Sequence, residues 1–309
     1  MMNVSDRKNK VPYLKQRAIG AYLGLAIGDA LGASVEFMTP REIVAQYKVH
    51  NKIIGGGWLY LKAGQVTDDT EMSLALGDAI IKAGKVDAPV IAQSFSDWMA
   101  RKPVDMGNTV RRGIVRFRQH GITEMPESEH DAGNGACMRT LPIALFGLGE
   151  SLEVVRDWSQ AQAHITHHNK ISDAAILCVI EMIQTSLMGT VSLADLQHTA
   201  DRLIADFPIF AFDKKREENP SGYIVDTIKA VFQSLFETND FESCLIDVVN
   251  RGGDADTTGA IAGMIAGAFY GRAEIPQKWL KALDDVVKKQ CIDQAETLIE
   301  QSAYYRSLS

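Results

Sequence analysis

The stretch GAYLGLAIGDALG, residues 20–32, places a glycine at every fourth position, and GAIAGMIAGAFYG, residues 259–271, repeats this pattern. At helical spacing, each set of glycines forms one smooth stripe along a helix. A glycine inside a helix costs about 0.5–1 kcal/mol relative to alanine, so a whole stripe needs a compensating contact. The charged residues Asp29 and Glu36 and the short length of both segments disfavour a pair of membrane helices. We therefore predict two buried central helices whose backbones pack closely.

Apolar residues recur at helical spacing through most of the chain, whereas the alternation typical of strands is nearly absent. The only predicted strand is WLYL at 58–61, and loops are predicted at 55–58, 124–135 and 212–222. No long linker separates the elements, so the sequence predicts one all-α domain. The predicted helices cover residues 17–35, 70–83, 89–100, 106–119, 172–188, 193–206, 223–237, 241–249, 257–270 and 277–300.

Composition and charge exclude several classes of protein. The 309 residues are 46% hydrophobic and 23% charged, which is typical of a globular domain with a large core. A net charge of −7 argues against a broad nucleic-acid-binding surface. The start of the chain has no apolar signal core, and the apolar run at 259–271 is too short to span a bilayer. The four widely spaced cysteines form no CxxC pair, so we expect reduced thiols in a cytoplasmic protein.

Two short segments combine aspartates and threonines directly before a predicted helix: TDDT at 67–70 and DADT at 254–257. Such residues are good N-caps, and Asp68 with Glu71 fits a capping box, so helix capping is one interpretation. Each segment carries more carboxylate than a cap needs, and neighbouring carboxylates repel each other unless a cation neutralises them. The second interpretation is one metal site assembled from both segments. Hard oxygen donors of this kind suit Mg²⁺, Mn²⁺ or Ca²⁺.

Several longer motifs occur in the order typical of one enzyme family. AYLGLAIGDALGASVEF, TDDTEMSLALG, DAGNGACMRTLP and GGDADTTGAIAGMIAGA together resemble the ADP-ribosylglycohydrolase family over about residues 17–300. PVDMGNTVRRG, GGGWLYLKAGQVTDDT and SGYIVDT make the chain similar to the branch that removes ADP-ribose from arginine, as on dinitrogenase reductase. The resemblance implies a compact, single-domain orthogonal helical bundle at 17–305 and a centre of two Mg²⁺ or Mn²⁺ ions.

The resemblance also assigns roles to single residues. Glu36, which by itself reads as a helix end, is expected to be the general base. Asp105, otherwise a loop or cap residue, is expected to activate the ribose or transfer a proton. The implied metal ligands are Thr67, Asp68, Asp69, Asp254, Asp256 and Thr257. The implied substrate-binding residues are Asn108, Gly133, Asn134, Gly135, His167 and Tyr223.

Some of these assignments keep a second interpretation. The DAGNG loop at 131–135 is either a plain turn or a cradle of backbone N–H groups for a diphosphate. Tyr223 either stacks on the adenine ring or packs in the core. His164 and His168 of HITHHN are expected to be structural or solvent-facing, because the oxygen-rich segments already account for the metal. Residues 1–16 precede the family's usual start and are predicted to be an extension, either flexible or partner-binding.

The resemblance implies an enzyme that hydrolyses the N-glycosidic bond between ADP-ribose and arginine on a modified protein. Its partners would be an ADP-ribosyltransferase and that protein, for instance dinitrogenase reductase. If the target is instead modified by a toxin, the chain would be an immunity protein that acts by hydrolysis or by binding. A non-catalytic relative and a hydrolase of other ADP-ribose linkages, such as that to serine, stay open. Neither nucleic acid nor a membrane is expected as a partner.

Overall fold

The computed structural model describes the backbone of residues 4–308 and the side chains from residue 11 onward. These residues form an all-α structure without a strand ladder, as predicted. The helices are α1 (Val4–Gly32), α2 (Pro40–Tyr47), α3 (Asp68–Ala83), α4 (Ala88–Ala100), α5 (Asn108–His120), α6 (Leu141–Phe146), α7 (Leu152–Ala163), α8 (Lys170–Leu187), α9 (Leu193–Asp206), α10 (Ile224–Glu237), α11 (Phe241–Val249), α12 (Ala255–Tyr270), α13 (Gln277–Ala282), α14 (Asp285–Glu300) and α15 (Ala303–Leu308).

The two glycine stripes face each other across antiparallel helices α1 and α12. A Cβ atom added to Gly24 would lie within 3.0 Å of the Gly263 carbonyl oxygen, and the reverse also holds. Both helices are buried along the stripes. The prediction of two central helices in backbone contact is therefore confirmed. The facing pairs are Gly20–Gly267, Gly24–Gly263, Gly28–Gly259 and Gly32–Ala255.

The remaining helices pack around this central pair. Helices α3, α8 and α14 contact α1, while α8, α10 and α11 contact α12. Gly271, the last glycine of its stripe, has a φ of 86° and ends α12, and its backbone still lies against Gly20 of α1. The four cysteines are free and buried, as expected of core thiols. Among the helices of residues 4–308, none combines the length and the apolar character needed to cross a bilayer.

Most predicted helices are confirmed, but two need correction. The first helix ends at Gly32, so residues 33–35 belong to the turn that follows α1. The single helix predicted at 277–300 is wrong, because α13 and α14 are separate helices. The Asp284 carboxylate accepts hydrogen bonds from the N–H groups of Val286 at 2.8 Å and Val287 at 3.1 Å. This side chain caps α14 and therefore starts a new helix.

The strand predicted at 58–61 is also wrong. Gly55, Gly56, Gly57 and Tyr60 have positive φ angles, which an extended strand does not tolerate. The segment is a turn closed by one isolated bridge between Gly56 and Leu61. Three glycines in a row therefore outweigh the strand propensity of the aromatic residues that follow.

Four helices were not predicted from the sequence: α2, α6, α7 and α15. Helix α2 has eight residues, and α6 and α15 have six each, so a period of 3.6 residues hardly repeats within them. In α7, two of the four buried positions are the polar residues Ser159 and Gln162, which obscures its apolar face.

The predicted N-terminal extension joins the first helix without a break. Helix α1 begins at Val4, so residues 4–16 continue the helix that carries the first glycine stripe. Residues 1–3 of the extension lie outside the described residues. A partner-binding role for residues 1–16 stays a prediction.

Alanine at Gly263 should destabilise the fold, although alanine is favoured over glycine by about 0.5–1 kcal/mol inside a helix. The added Cβ meets the backbone of Gly24, which cannot move aside as a flexible side chain would. We expect the free energy of unfolding, measured with urea, to fall by about 1–3 kcal/mol. The matched control is Gly189→Ala, where a Cβ meets no atom within 4 Å. Unchanged stability of Gly263→Ala would contradict the close packing of α1 and α12.

Candidate active site

The end of α1, the start of α3 and the start of α12 meet around one cavity of about 340 Å³. The antiparallel contact brings this about, because Gly32 at the end of α1 stands opposite Ala255 at the start of α12. Most of the residues assigned from the sequence therefore share one site. The predicted residues that line the cavity are Glu36, Asp68, Asp105, Asn108, Gly133, Asn134, Gly135, His167, Asp254, Asp256 and Thr257.

The hydroxyl group of Thr67 connects the two aspartate–threonine segments. Its Oγ1 atom lies 3.2 Å from an oxygen of Asp69 and 3.4 Å from an oxygen of Asp256. The Thr257 hydroxyl donates to the same Asp69 oxygen at 3.3 Å. All four side chains are buried. The segments at 67–70 and 254–257 thus form one cluster beneath the cavity.

The capping interpretation of these residues is wrong. Thr67 and Asp254 are the N-cap residues of α3 and α12, yet neither side chain makes a capping hydrogen bond. The Asp254 carboxylate instead accepts a hydrogen bond of 2.6 Å from Asn134 Nδ2. Glu71, the partner in the expected capping box, accepts a hydrogen bond from Trp98. The side chains of Thr67 and Asp254 are therefore available to the site.

Asp29 does the capping in their place, and the sequence analysis missed this role. Its buried carboxylate accepts hydrogen bonds from the backbone N–H groups of Thr67 at 3.0 Å and Thr70 at 3.1 Å. It also accepts from both threonine hydroxyls, at 3.0 and 2.5 Å. Burial raises the pKa of Asp29 to about 6, although these hydrogen bonds act in the opposite direction. A residue of α1 thus fixes the start of α3.

The buried carboxylates form an electrostatically unfavourable group that fits a divalent cation. Burial raises the pKa values of Asp68, Asp69 and Asp256 well above the usual range, and neighbouring carboxylates add to the effect. The Oδ1 atom of Asp69 is buried and has no hydrogen-bond partner among the described residues. Such an oxygen is costly unless a donor or a cation meets it. The donors are all oxygens, the set that Mg²⁺ and Mn²⁺ prefer.

Glu36 lies in the cavity wall and is only 5% exposed. Trp58 Nε1 donates a hydrogen bond of 2.6 Å to one of its oxygens. Carboxylate oxygens of Glu36, Asp105 and Asp256 lie within 4.8 Å of one another. Burial raises the pKa of Glu36 to about 8; the Trp58 bond opposes this shift, and the charges of Asp254 and Asp105 add to it. Without a cation nearby, Glu36 therefore keeps its proton at neutral pH.

Trp58 and Phe37 form an aromatic rim that sequence reasoning did not find. Both residues line the cavity, their ring centroids are 5.3 Å apart, and they are 48% and 64% exposed. Gly57 makes this arrangement possible, because a Cβ there would lie within 3.0 Å of the Ala33 carbonyl oxygen. The triple glycine before Trp58 is the signal that could have indicated a turn folding onto the end of α1.

Asn134 holds the glycine loop against the second aspartate segment. Its Nδ2 atom donates to Asp254 and, at 2.9 Å, to the hydroxyl of Thr227 on α10. The backbone N–H of Asn134 donates to the carbonyl oxygen of Gly222 at 3.0 Å. The loop at 133–135 therefore has a fixed position in the cavity wall.

The ring of His167 packs directly on the same loop. A Cβ at Gly133 or Gly135 would come within 3.0 Å of this ring, so only glycine permits the contact. Burial lowers the pKa of His167 to about 3, and the positive charges of Arg139 and Arg112 add to the effect. His167 is therefore a neutral imidazole, and its Nδ1 atom lies 2.8 Å from the Thr166 hydroxyl.

Asp105 and Asn108 reach the cavity from the segment that leads into α5. The Asp105 carboxylate accepts a hydrogen bond of 2.7 Å from the N–H of Met106, and burial raises its pKa. Tyr223 differs from the other assigned residues, since it packs against the hydrophobic core and does not line the cavity. Its backbone forms a bridge with Gly133. Of the two interpretations of Tyr223, packing describes its position.

His164 and His168 of HITHHN, unlike His167, do not line the cavity and form a separate group. The rings of His164 and His168 stack with centroids 3.7 Å apart, and both lie near the Glu124 carboxylate. His164 Nε2 is 2.9 Å from Asp173, while His168 Nδ1 is 2.7 Å from the Met125 carbonyl oxygen. These contacts connect the loop at 124–130 to α8, and the structural role expected of both histidines stays a prediction, because Glu124, His164 and His168 also place three possible metal-ligand atoms within 4.8 Å of one another.

Comparison with known proteins agrees with this geometry. The family model described as ADP-ribosylglycohydrolase matches residues 11–307. The ADP-ribosyl-[dinitrogen reductase] glycohydrolase of Rhodospirillum rubrum is 50% identical, with 93% of this chain and 97% of that protein covered. The ADP-ribosylarginine hydrolase Tri1 of Serratia proteamaculans is 33% identical, with 93% and 79% covered.

A solved structure is similar over nearly the whole chain. It is titled an ADP-ribosylglycohydrolase-related protein complex, and it superimposes with a TM-score of 0.84 at 29% sequence identity. The match covers 94% of this chain and 99% of that one. With the family model spanning almost every residue, these similarities agree with the resemblance noted in the sequence: the chain belongs to the ADP-ribosylglycohydrolase family.

Proposed function

We propose that this protein hydrolyses the N-glycosidic bond between ADP-ribose and an arginine side chain of a modified protein, and so reverses mono-ADP-ribosylation. The observation that carries the proposal is the single cavity in which Glu36 and Asp105 stand beside both aspartate–threonine segments. The names of the Rhodospirillum and Serratia relatives support arginine as the linked residue. A purely structural role is disfavoured, because it gives no reason to keep so many buried carboxylates together.

We assign a centre of two Mg²⁺ or Mn²⁺ ions to the cluster beneath the cavity. When bound, these cations would orient the ribose hydroxyls or a water molecule and stabilise developing charge. The unpartnered buried oxygen of Asp69 and the raised pKa values of its neighbours support the assignment. The residues that would hold the ions are Thr67, Asp68, Asp69, Asp254, Asp256 and Thr257.

The protein's own residues account for the proton transfers. Water attacks the anomeric carbon as its bond to the guanidinium nitrogen breaks through an oxocarbenium-like transition state. Glu36 takes the proton of that water, and the hydrogen bond from Trp58 to one of its oxygens holds the carboxylate in place. The departing guanidine nitrogen regains a proton. Asp105, whose carboxyl group lies beside that of Glu36, supplies it. The products are ADP-ribose and unmodified arginine.

The proposed function leads to two candidate target proteins and to one cellular compartment. ADP-ribosylated dinitrogen reductase is the first protein to test, because the Rhodospirillum relative is named for it. A toxin-modified protein is the second target, and either route requires an ADP-ribosyltransferase that makes the substrate. Four free buried cysteines suit the reducing cytoplasm. Turnover of peptides carrying ADP-ribosyl-arginine but not ADP-ribosyl-serine, followed by mass spectrometry, tests the linkage; equal turnover of both would contradict arginine specificity.

Removal of divalent cations should abolish hydrolysis, and Mn²⁺ or Mg²⁺ should restore it. Asp69→Asn should weaken Mn²⁺ binding by about tenfold or more in calorimetric titration, because a charged ligand is lost. Asp213→Asn, in an exposed loop, is the matched control and should bind like the parent. Full activity in a chelator, or unchanged Mn²⁺ affinity of Asp69→Asn, would contradict the metal assignment.

Glu36→Gln should lower kcat by about 10²–10⁴-fold, the usual contribution of a general acid or base. The variant should keep its fold and bind ADP-ribose with nearly the affinity of the parent, which calorimetry measures. Glu129→Gln, an exposed residue outside the cavity, serves as the control. Turnover of ADP-ribosyl-arginine within a few-fold of the parent would show that Glu36 is not the base, and Asp105 would then be the residue to test.

Without divalent cations, the protein should become more stable as the pH falls from about 8 towards 6. The pKa values of Glu36, about 8, and Asp29, about 6, exceed those of the unfolded chain, about 4. The folded state therefore binds protons more tightly than the unfolded state, and its stability decreases as the pH rises. Thermal unfolding in a chelator across this range measures the effect. A midpoint that rises with pH would contradict the raised pKa values.

A further inference from the structure

The outer face of α5 is strongly basic in a chain whose net charge is −7. Its sequence, NTVRRGIVRFRQH, contains four arginines and no acidic residue. Residues 108, 111, 112, 115, 116 and 119 recur at helical spacing and line a groove of about 450 Å³, which Met125 closes from the following loop. We call this feature the arginine groove.

No acidic residue of the facing loop, Glu129 included, forms a salt bridge with Arg111 or Arg116. Glu124 lies beside the two stacked histidines, and Glu127 pairs with Lys170. Asp131 pairs with Arg112, which accounts for only one of the guanidinium groups. Of the carboxylates of Glu124, Glu127 and Asp131, only that of Asp131 pairs with an arginine of the groove.

Arg111 and Arg116 have no carboxylate partner within salt-bridge distance and no side-chain hydrogen bond among the described residues. Arg111 is exposed and Arg116 is half-buried. The Nε atom of Arg116 is itself buried and unpartnered. No carboxylate among the described residues neutralises the charges of Arg111 and Arg116, so the groove is suited to an anionic ligand from outside the chain.

The groove borders the catalytic cavity, because Asn108 lines both. Between positions 108 and 119 the helix extends about 16 Å, enough for about five residues of an extended peptide. The glycine loop at 133–135 lines the cavity and not the groove. A groove that leads outward from the cavity therefore suits the polypeptide that carries the modified arginine.

We propose that the arginine groove docks an acidic segment of the substrate protein next to the ADP-ribosylated arginine. This inference rests on the proposed function, since the groove serves the same site. Arginines at the rim attract a negatively charged partner and set its orientation, and salt weakens such attraction. The groove would thus select modified arginines by the charge of their surroundings, independently of the bond that is broken.

Two peptides of equal length test this inference. Both carry ADP-ribosyl-arginine, one flanked by glutamates and the other by glutamines, and free ADP-ribosyl-arginine is the third substrate. The variant is Arg111→Gln with Arg116→Gln; Arg111→Gln alone serves if the half-buried position harms folding. The matched control is Lys82→Gln with Arg306→Gln, two exposed cations outside the groove and the cavity. Thermal unfolding checks that the variants remain folded.

We expect kcat/KM for the glutamate-flanked peptide to fall by about tenfold in the variant, mainly through KM, and its dependence on salt to flatten. The control should act like the parent, and the other two substrates should be hydrolysed as before. Equal losses on free ADP-ribosyl-arginine would overturn the inference, because the groove would then hold ADP-ribose itself. Unchanged kcat/KM on the glutamate-flanked peptide would overturn it as well.

Binding without chemistry separates this inference from the proposed function. The unmodified glutamate-flanked peptide, labelled with a fluorophore, should bind the parent more tightly than the variant in fluorescence anisotropy. This result would support docking even if the parent hydrolysed none of the three substrates, which would contradict the proposed function alone. Equal anisotropy curves for the parent and the variant would overturn docking.

Discussion

The backbone contact between α1 and α12 brings Glu36 and the second aspartate–threonine segment to the same site. Because the facing positions are glycines, the two helices approach so closely that a single added Cβ would meet the opposite backbone. In the observed register, Gly32 at the end of α1 stands opposite Ala255 at the start of α12. Glu36 and the aspartates at 254 and 256 then meet at the same end of the pair. This packing offsets the unfavourable helix propensity of glycine, and the glycines are essential to the position of the site.

Asp29 connects the start of α3 to the paired helices α1 and α12. It lies one residue beyond Gly28, so the register that seats the glycines also aims its carboxylate at the start of α3. Since Asp29 satisfies the first N–H groups of that helix, Thr67 and Asp69 need not do so. A helix start normally uses its own side chains as caps. Here an outside carboxylate replaces them, and the side chains of Thr67 and Asp69 contact Asp256 and Thr257 of the second segment instead.

The sequence predicts those features that depend on local or repeating patterns. The glycine stripes repeat every fourth residue, and the two aspartate–threonine segments carry more charge than caps need, so both were recognisable. The role of Asp29 was not recognisable, because it depends on the N–H groups of Thr67 and Thr70, which lie 38 and 41 positions further along the chain. Trp58 was assigned to a strand because its side-chain propensity was weighed without the positive φ angles of the three glycines before it. Contacts across the fold, not local preference, give these two residues their functions.

The charges of the site impose an order on binding. ADP-ribose carries a negatively charged diphosphate, whereas the cavity is lined by Glu36, Asp68, Asp105 and Asp256 together with Asp254. Without cations, these carboxylates either repel the diphosphate or hold protons, as the pKa of about 8 for Glu36 implies. A protonated Glu36 cannot take a proton from water. Cations in the cluster would remove both obstacles at once, because they attract the anion and favour the ionised carboxylate. Cations bound as proposed would therefore let the site bind its substrate and activate water through the same change in charge.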